Sequence, residues 1–303
     1  MQIRSFSIKI AAIAAVGICI CSLHGVVRAD TVPAAAIVSA NGPYTLICKY
    51  TVGKTSKYAM SITNQMSGVA GSNQAMNMVM DMNASSTVQS IDPATGNATE
   101  QFVISGMTGT MNGQPMPLNA QTATPAPTTM TVSPTGQMVS MPGAQGQSPI
   151  PGLSGPNPFG AMTFLPTKPV NIGDTWTSSI PVAALGTNLT CVMTLKSVNI
   201  VDGHAIAKIQ ANLSSTPGVP NPGAAGAPAG QATPLAGMNA NFSGIVLTDF
   251  DIDAGAVSKT MGSMNMDMGG SVPAQANGAA PTPINMHMKM VMRMSLLPPA
   301  TTN

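Results

Sequence analysis

Ile284-Asn-Met-His-Met-Lys-Met-Val-Met-Arg-Met-Ser-Leu296 sets methionine at every second position from Met286 to Met294, with Asn285, His287, Lys289, Val291, Arg293 and Ser295 between. Successive side chains of an extended chain point to opposite faces, so this spacing lines one face with thioethers and leaves the other mostly polar. Wound as a helix, it would scatter methionine around the axis. Met, Lys, Arg and Leu favour helix locally, but pattern outweighs propensity, and the stretch reads as a β-strand. The same period recurs twice upstream, at Met76, Met78, Met80 and Met82 within Gln74–Gln89, and at Met264, Met266 and Met268.

Working outward from these ladders, turn signals punctuate the chain. Ile91-Asp-Pro-Ala-Thr-Gly96 combines a proline that presets φ with a glycine that accepts a left-handed angle, and Glu100–Ser105 leads away from it as a partner strand. Val132-Ser-Pro-Thr-Gly-Gln-Met-Val139, Asn199–Ala207 around Asp202-Gly203, and Phe250–Val257 repeat the strand, turn, strand design. Pro43 to Met66 reads as a strand, a turn at Gly53 and a second strand from Ser56. The expected fold is therefore mostly β, a curved antiparallel sheet or incomplete barrel. Residues 142–161, 215–237 and 272–283, rich in Pro, Gly, Ala and Gln, are expected to be loop inserts. Thr51-Val-Gly-Lys-Thr55 and Asn171-Ile-Gly-Asp-Thr175 are alike. Two similar lobes would explain this, and so would chance.

Residues 1–29 have the form of a signal peptide: Arg4, an apolar run from Ile8 to Leu23, and Val27-Arg28-Ala29 before the cleavage point. The remainder, 30–303, is expected to be one exported domain, periplasmic or secreted. Neither Cys19 nor Cys21 follows a small residue as a lipid anchor requires, so release is expected. No later run is long and apolar enough for a transmembrane helix. Cleavage removes Arg4, Lys9 and Arg28 and leaves nine basic against ten acidic side chains, a net charge of about −1. Nucleic acid is a poor partner for so few basic and aromatic residues.

Cys48 and Cys191 remain, each on the apolar side of an alternating segment. A disulfide between them would contribute about 4 to 5 kcal/mol in the chain-entropy model; two separate buried thiols are the other reading.

Catalytic candidates are lacking: Glu100 is the sole glutamate, no nucleophile elbow or paired-histidine motif occurs, and neither metal ligands nor a cofactor motif is assigned. His204 reads as a polar residue beside a hairpin tip. Asp249, Asp251 and Asp253 alternate, as a calcium loop or a solvated strand face would, but Ala254 and Thr260 stand where an EF-type loop needs Gly and Glu. Gly53-Lys54-Thr55 lacks the earlier glycine of a phosphate loop. Trp176 reads as a core anchor.

The methionines carry the functional signal. Val and Ile suit strands better, whereas methionine gives an adaptable, polarisable surface. The expected site is a face made of Met76, Met78, Met80, Met82, Met264, Met266, Met268, Met286, Met288, Met290, Met292 and Met294, holding a lipid or other apolar ligand. A closed methionine core, a Cu(I) site of thioethers and a structural envelope component are the alternatives. In a strand, His287 points away from its methionine neighbours.

Tyr50-Thr-Val-Gly53 and Phe164-Leu-Pro-Thr-Lys-Pro-Val-Asn-Ile-Gly-Asp-Thr-Trp176, with the export signal and Asp/Gly hairpins, resemble a broad family of uncharacterised exported bacterial proteins. The resemblance spans most of residues 44–296, and its best motif is Pro-Val-x-Ile-Gly-Asp-x-Trp. It implies an extracytoplasmic β-rich domain, similar to the half-barrels of lipoprotein carriers, and no particular activity. The methionine excess and the long inserts depart from that pattern.

Overall fold

The computed structural model describes residues 42–68, 75–116, 126–140, 165–182, 187–217, 239–272 and 282–298. The signal segment and the insert at 142–161 lie outside them, as does most of the other two inserts. The described strands reach further into those inserts than expected, to Pro217, to Val272 and from Thr282, because cross-strand pairing such as Val272 with Thr282 continues the ladder there.

Twelve strands form one antiparallel sheet with no helix among the described residues. They are β1 (Thr55–Ser67), β2 (Met76–Ile91), β3 (Ala98–Met111), β4 (Gln114–Pro115), β5 (Thr128–Val132), β6 (Met138–Ser140), β7 (Thr175–Val182), β8 (Thr187–Val201), β9 (His204–Pro217), β10 (Asn239–Asp251), β11 (Ala256–Val272) and β12 (Thr282–Leu296). Their order is β6-β5-β3-β2-β1-β12-β11-β10-β9-β8-β7, with β4 on β3. From β1 to β3 and from β7 to β12 each strand pairs with the next in sequence, and the last long strand pairs with the first. The sheet curves but does not close, since β6 and β7 remain its two edges. Register shifts at Asp81/Asn83, Val88/Ser90, Leu195/Ser197 and Asp249/Phe250 mark bulges, which bend a strand and increase its twist.

The inner face carries the core. Tyr58, Met60 and Ile62 of β1, Cys191, Met193 and Leu195 of β8, and Phe250 of β10 are all buried. Tyr44, Leu46 and Cys48 alternate as a strand would, yet among the described residues their β-pairing is an isolated bridge from Tyr44 to Val170, outside the named strands. Instead the segment crosses one end of the molecule as a plug. The Cys48 amide donates to Pro134 O (2.8 Å) in the β5–β6 turn and the Lys49 amide to Gly255 O (2.9 Å) in the β10–β11 turn. Leu46, Leu165 and Val170 are buried against the core there. Trp176, expected as a core anchor, is half-buried, because it lies on the edge strand β7; it packs against the core cluster.

The two five-residue steps are the same structure. Gly53 and Gly173 both have positive φ (83° and 95°). The Gly53 amide donates to Val88 O and the Gly173 amide to Leu195 O, each at 2.8 Å; the amides of Lys54 and Asp174 donate back to Thr51 O and Asn171 O. Both partners sit beside a bulge, and Thr55 and Thr175 each begin a strand. With its glycine amide committed to the sheet, Gly53-Lys54-Thr55 offers no phosphate cradle.

Candidate functional site

Pairing places the methionines in rows across the sheet. Met60 is paired with Met82 and Met294; Ile62 with Met80 and Met292; Asn64 with Met78 and Met290; Met66 with Met76 and Met288. Beyond β12, Met290, Met288 and Met286 pair with Met264, Met266 and Met268. Paired residues of an antiparallel sheet share a face, so all twelve ladder methionines, with Met60 and Met66, occupy the inner one.

Along the strands this face changes character. At the plug end Met80, Met82, Met292 and Met294 are closed core, Met294 only 1% exposed. Toward the opposite end Met66, Met76, Met264, Met266, Met268, Met286, Met288 and Met290 are half-buried. A shallow hollow of about 550 Å³ at that end is lined by Met268 and Met286 together with the outer-face residues Asn241, Asp267, Asn285 and His287, so it is not a cavity of the methionine face. The ladder is therefore neither wholly core nor wholly surface.

Charge is segregated. Lys57, Asp81, Lys259, Asp267, His287, Lys289 and Arg293 are all the charged or titratable groups of β1, β2, β11 and β12 besides Tyr58, and each is at an outer-face position. His287 Nδ1 bonds the Asp267 carboxylate across the strands there, away from the thioethers.

Several buried polar residues interrupt the inner face, Ser56, Ser86, Thr260 and Asn64 among them. Asn64, 1% exposed between Met78 and Met290, has neither Oδ1 nor Nδ2 hydrogen-bonded. Sequence reading overlooked it, although its place two residues after Ile62 and two before Met66 put it on the core face. Lys54 Nζ at the plug-end turn is also buried without a partner, and desolvation lowers its pKa.

Cys48 and Cys191 do not bond to each other. Cys191 is a free, buried thiol on β8, pushed up to about 11 by desolvation, while Cys48 is disulfide-bonded elsewhere. Backbone hydrogen bonds commit the Cys48 segment to the β5–β6 and β10–β11 turns, whereas Cys191 faces Leu213 and Ser178 on its own flanking strands.

His204, Asp251 and Asp253 converge near the plug. Their polar atoms serve the turns: His204 Nδ1 meets Asp251 Oδ2 (2.9 Å), the Ala254 amide donates to Asp251 Oδ1 (2.8 Å), and the Ala205 amide donates to Asp253 Oδ2 (2.7 Å). Asp249 instead pairs with Lys208 at 3.2 Å. The three aspartates thus have separate tasks. A second polar pair, buried Ser86 donating to Glu100, lies inside the sheet between β2 and β3.

No family model matches the chain, and no curated protein does. Among solved structures it is similar to DynF from the dynemicin biosynthesis pathway of Micromonospora chersina, at 9% identity over 90% of this chain and 94% of that one, with a TM-score of 0.20. A domain described as an outer membrane lipoprotein-sorting protein from Vibrio parahaemolyticus gives 8% identity, 82% and 88% coverage, and a TM-score of 0.19. A DUF1329 family protein from Desulfovibrio piger gives 10%, 83% and 88%, and 0.15. Likeness at this level assigns neither a ligand nor a residue's role to this chain.

Proposed function

We propose that this is a non-enzymatic exported protein that holds an apolar ligand on the half-buried part of its methionine face. The observation that carries the reading is the uncharged inner surface of β1, β2, β11 and β12, closed core at the plug end and half-buried thioethers toward the rim. Unbranched methionine side chains rearrange at little cost, so such a surface fits a ligand of variable shape better than a rigid aliphatic lining does. The charge segregation favours an uncharged guest, because an ion unpaired among thioethers would lose its hydration without compensation. Organic extraction of protein purified from its native envelope, followed by mass spectrometry, is expected to yield a stoichiometric lipid or comparable apolar molecule. Protein that is empty as isolated and fails to take up a hydrophobic fluorescent probe would leave a structural role instead.

One row favours a second reading. Met76, Met66, Met288 and Met266 stand side by side on four adjacent strands, each about 4.8 Å from the next strand. Thioethers select Cu(I). Native mass spectrometry after Cu(I) loading under reducing conditions distinguishes the readings: stoichiometric copper, lost in Met66→Leu, supports the metal site, and an unchanged mass removes it.

A further inference from the structure

We infer that the guest of the methionine face is a neutral amphiphile, a long-chain alcohol or primary amide, whose head hydrogen-bonds to Asn64 and whose tail runs over the half-buried methionines to the rim. This rests on the apolar-ligand reading and adds the chemistry of the head. Asn64 presents a donor and an acceptor, both buried and both unpaired. Leaving an amide so is costly, and buried polar side chains are ordinarily satisfied. A hydroxyl or primary amide both donates and accepts, so one head can meet both Oδ1 and Nδ2.

A carboxylate is disfavoured. It would find one amide donor and no cation, since the Lys and Arg side chains of these four strands are on the outer face. The length also fits. From Met290, beside Asn64, to Met286 at the rim is four residues of β12, on the order of 13 Å of strand. Met78 and Met290, which flank Asn64, are the flexible groups that must move to admit the head.

Equilibrium binding of dodecanol, dodecanamide, dodecane and dodecanoate to the full chain at neutral pH tests this. Dodecanol and dodecanamide are expected to bind about tenfold more tightly than dodecane, and dodecanoate more weakly than dodecanol. Asn64→Leu should abolish the advantage of the alcohol and the amide over the alkane. Dodecane binding as tightly as dodecanol to the unsubstituted protein would overturn the Asn64 assignment and leave the apolar face standing. Failure of all four to bind would overturn both. The comparison among ligands needs no variant, so it decides the matter even where Asn64→Leu does not fold.

Discussion

The Cys191 thiol shows what burial does to a single group in this fold. Desolvation pushes its pKa up to about 11 from an ordinary value near 9. In that window the unfolded chain loses the thiol proton and the folded chain keeps it. Stability is therefore unaffected below about pH 9 and falls as pH rises toward 11, by about 2 to 3 kcal/mol in all. Urea titrations of the protein and of Cys191→Ala across that range are expected to diverge in slope; parallel curves would contradict the burial of the thiol. Asp92 behaves in the opposite sense. The Thr95 hydroxyl (2.7 Å) and then the Ala94 amide (2.9 Å) hold its carboxylate below the usual range. Its contribution is present above the ordinary carboxylate pKa and is lost as pH falls through the lowered one, so Asp92→Asn should flatten the acid limb of the stability curve. Asn64 makes the third case: Asn64→Leu, which removes two unsatisfied buried groups at similar shape, is expected to stabilise the empty protein by about 1 to 3 kcal/mol in urea melts.

Within β12 one pattern serves two purposes, and substitution should separate them. Met294→Ala removes a side chain that is 1% exposed and is expected to cost about 2 to 5 kcal/mol, whereas Met286→Ala and Met288→Ala at half-buried positions should cost well under half of that. Peroxide footprinting checks the same gradient without substitution: Met286, Met288 and Met266 should oxidise well before Met80, Met292 and Met294, and bound ligand should slow the first group. The paired turns before β1 and β7 make another element-scale test. A Cβ at Gly53 or Gly173 meets nothing within 4 Å, so alanine there carries only the backbone penalty of positive φ. Each is expected to cost about 1 to 2 kcal/mol, and the two costs should match if the steps are structurally equivalent. That equivalence was faintly visible in five aligned residues; the matching hydrogen bonds and bulges were not, since they depend on Val88 and Leu195, which the two short motifs do not contain.

For the molecule as a whole, the plug sets the polarity of the sheet by closing one end. Leu46 (2% exposed) is its apolar anchor, and Leu46→Ala is expected to cost about 2 to 5 kcal/mol and to raise hydrogen exchange first at Cys48 and Lys49, whose amides bond the two turns. Gly255 limits the other side: at φ 64° its absent Cβ would run into the Lys49 side chain, so a larger residue there should release the plug. Strand identity, the antiparallel class and the common face of the methionine ladders could be read from the sequence, because a period of two has only one extended solution and Pro, Gly and Asp mark the reversals. His287 was excluded from that face by the same parity. Which methionines become core and which stay half-buried is not written in the period, which is identical along the ladder; it follows from the plug packing against one end. The separation of Cys48 from Cys191, and the closing of amide and thioether around an unpaired Asn64, likewise arise from contacts between segments far apart in the chain. Alternation fixes which side a residue faces, and only the assembled sheet decides what it meets there.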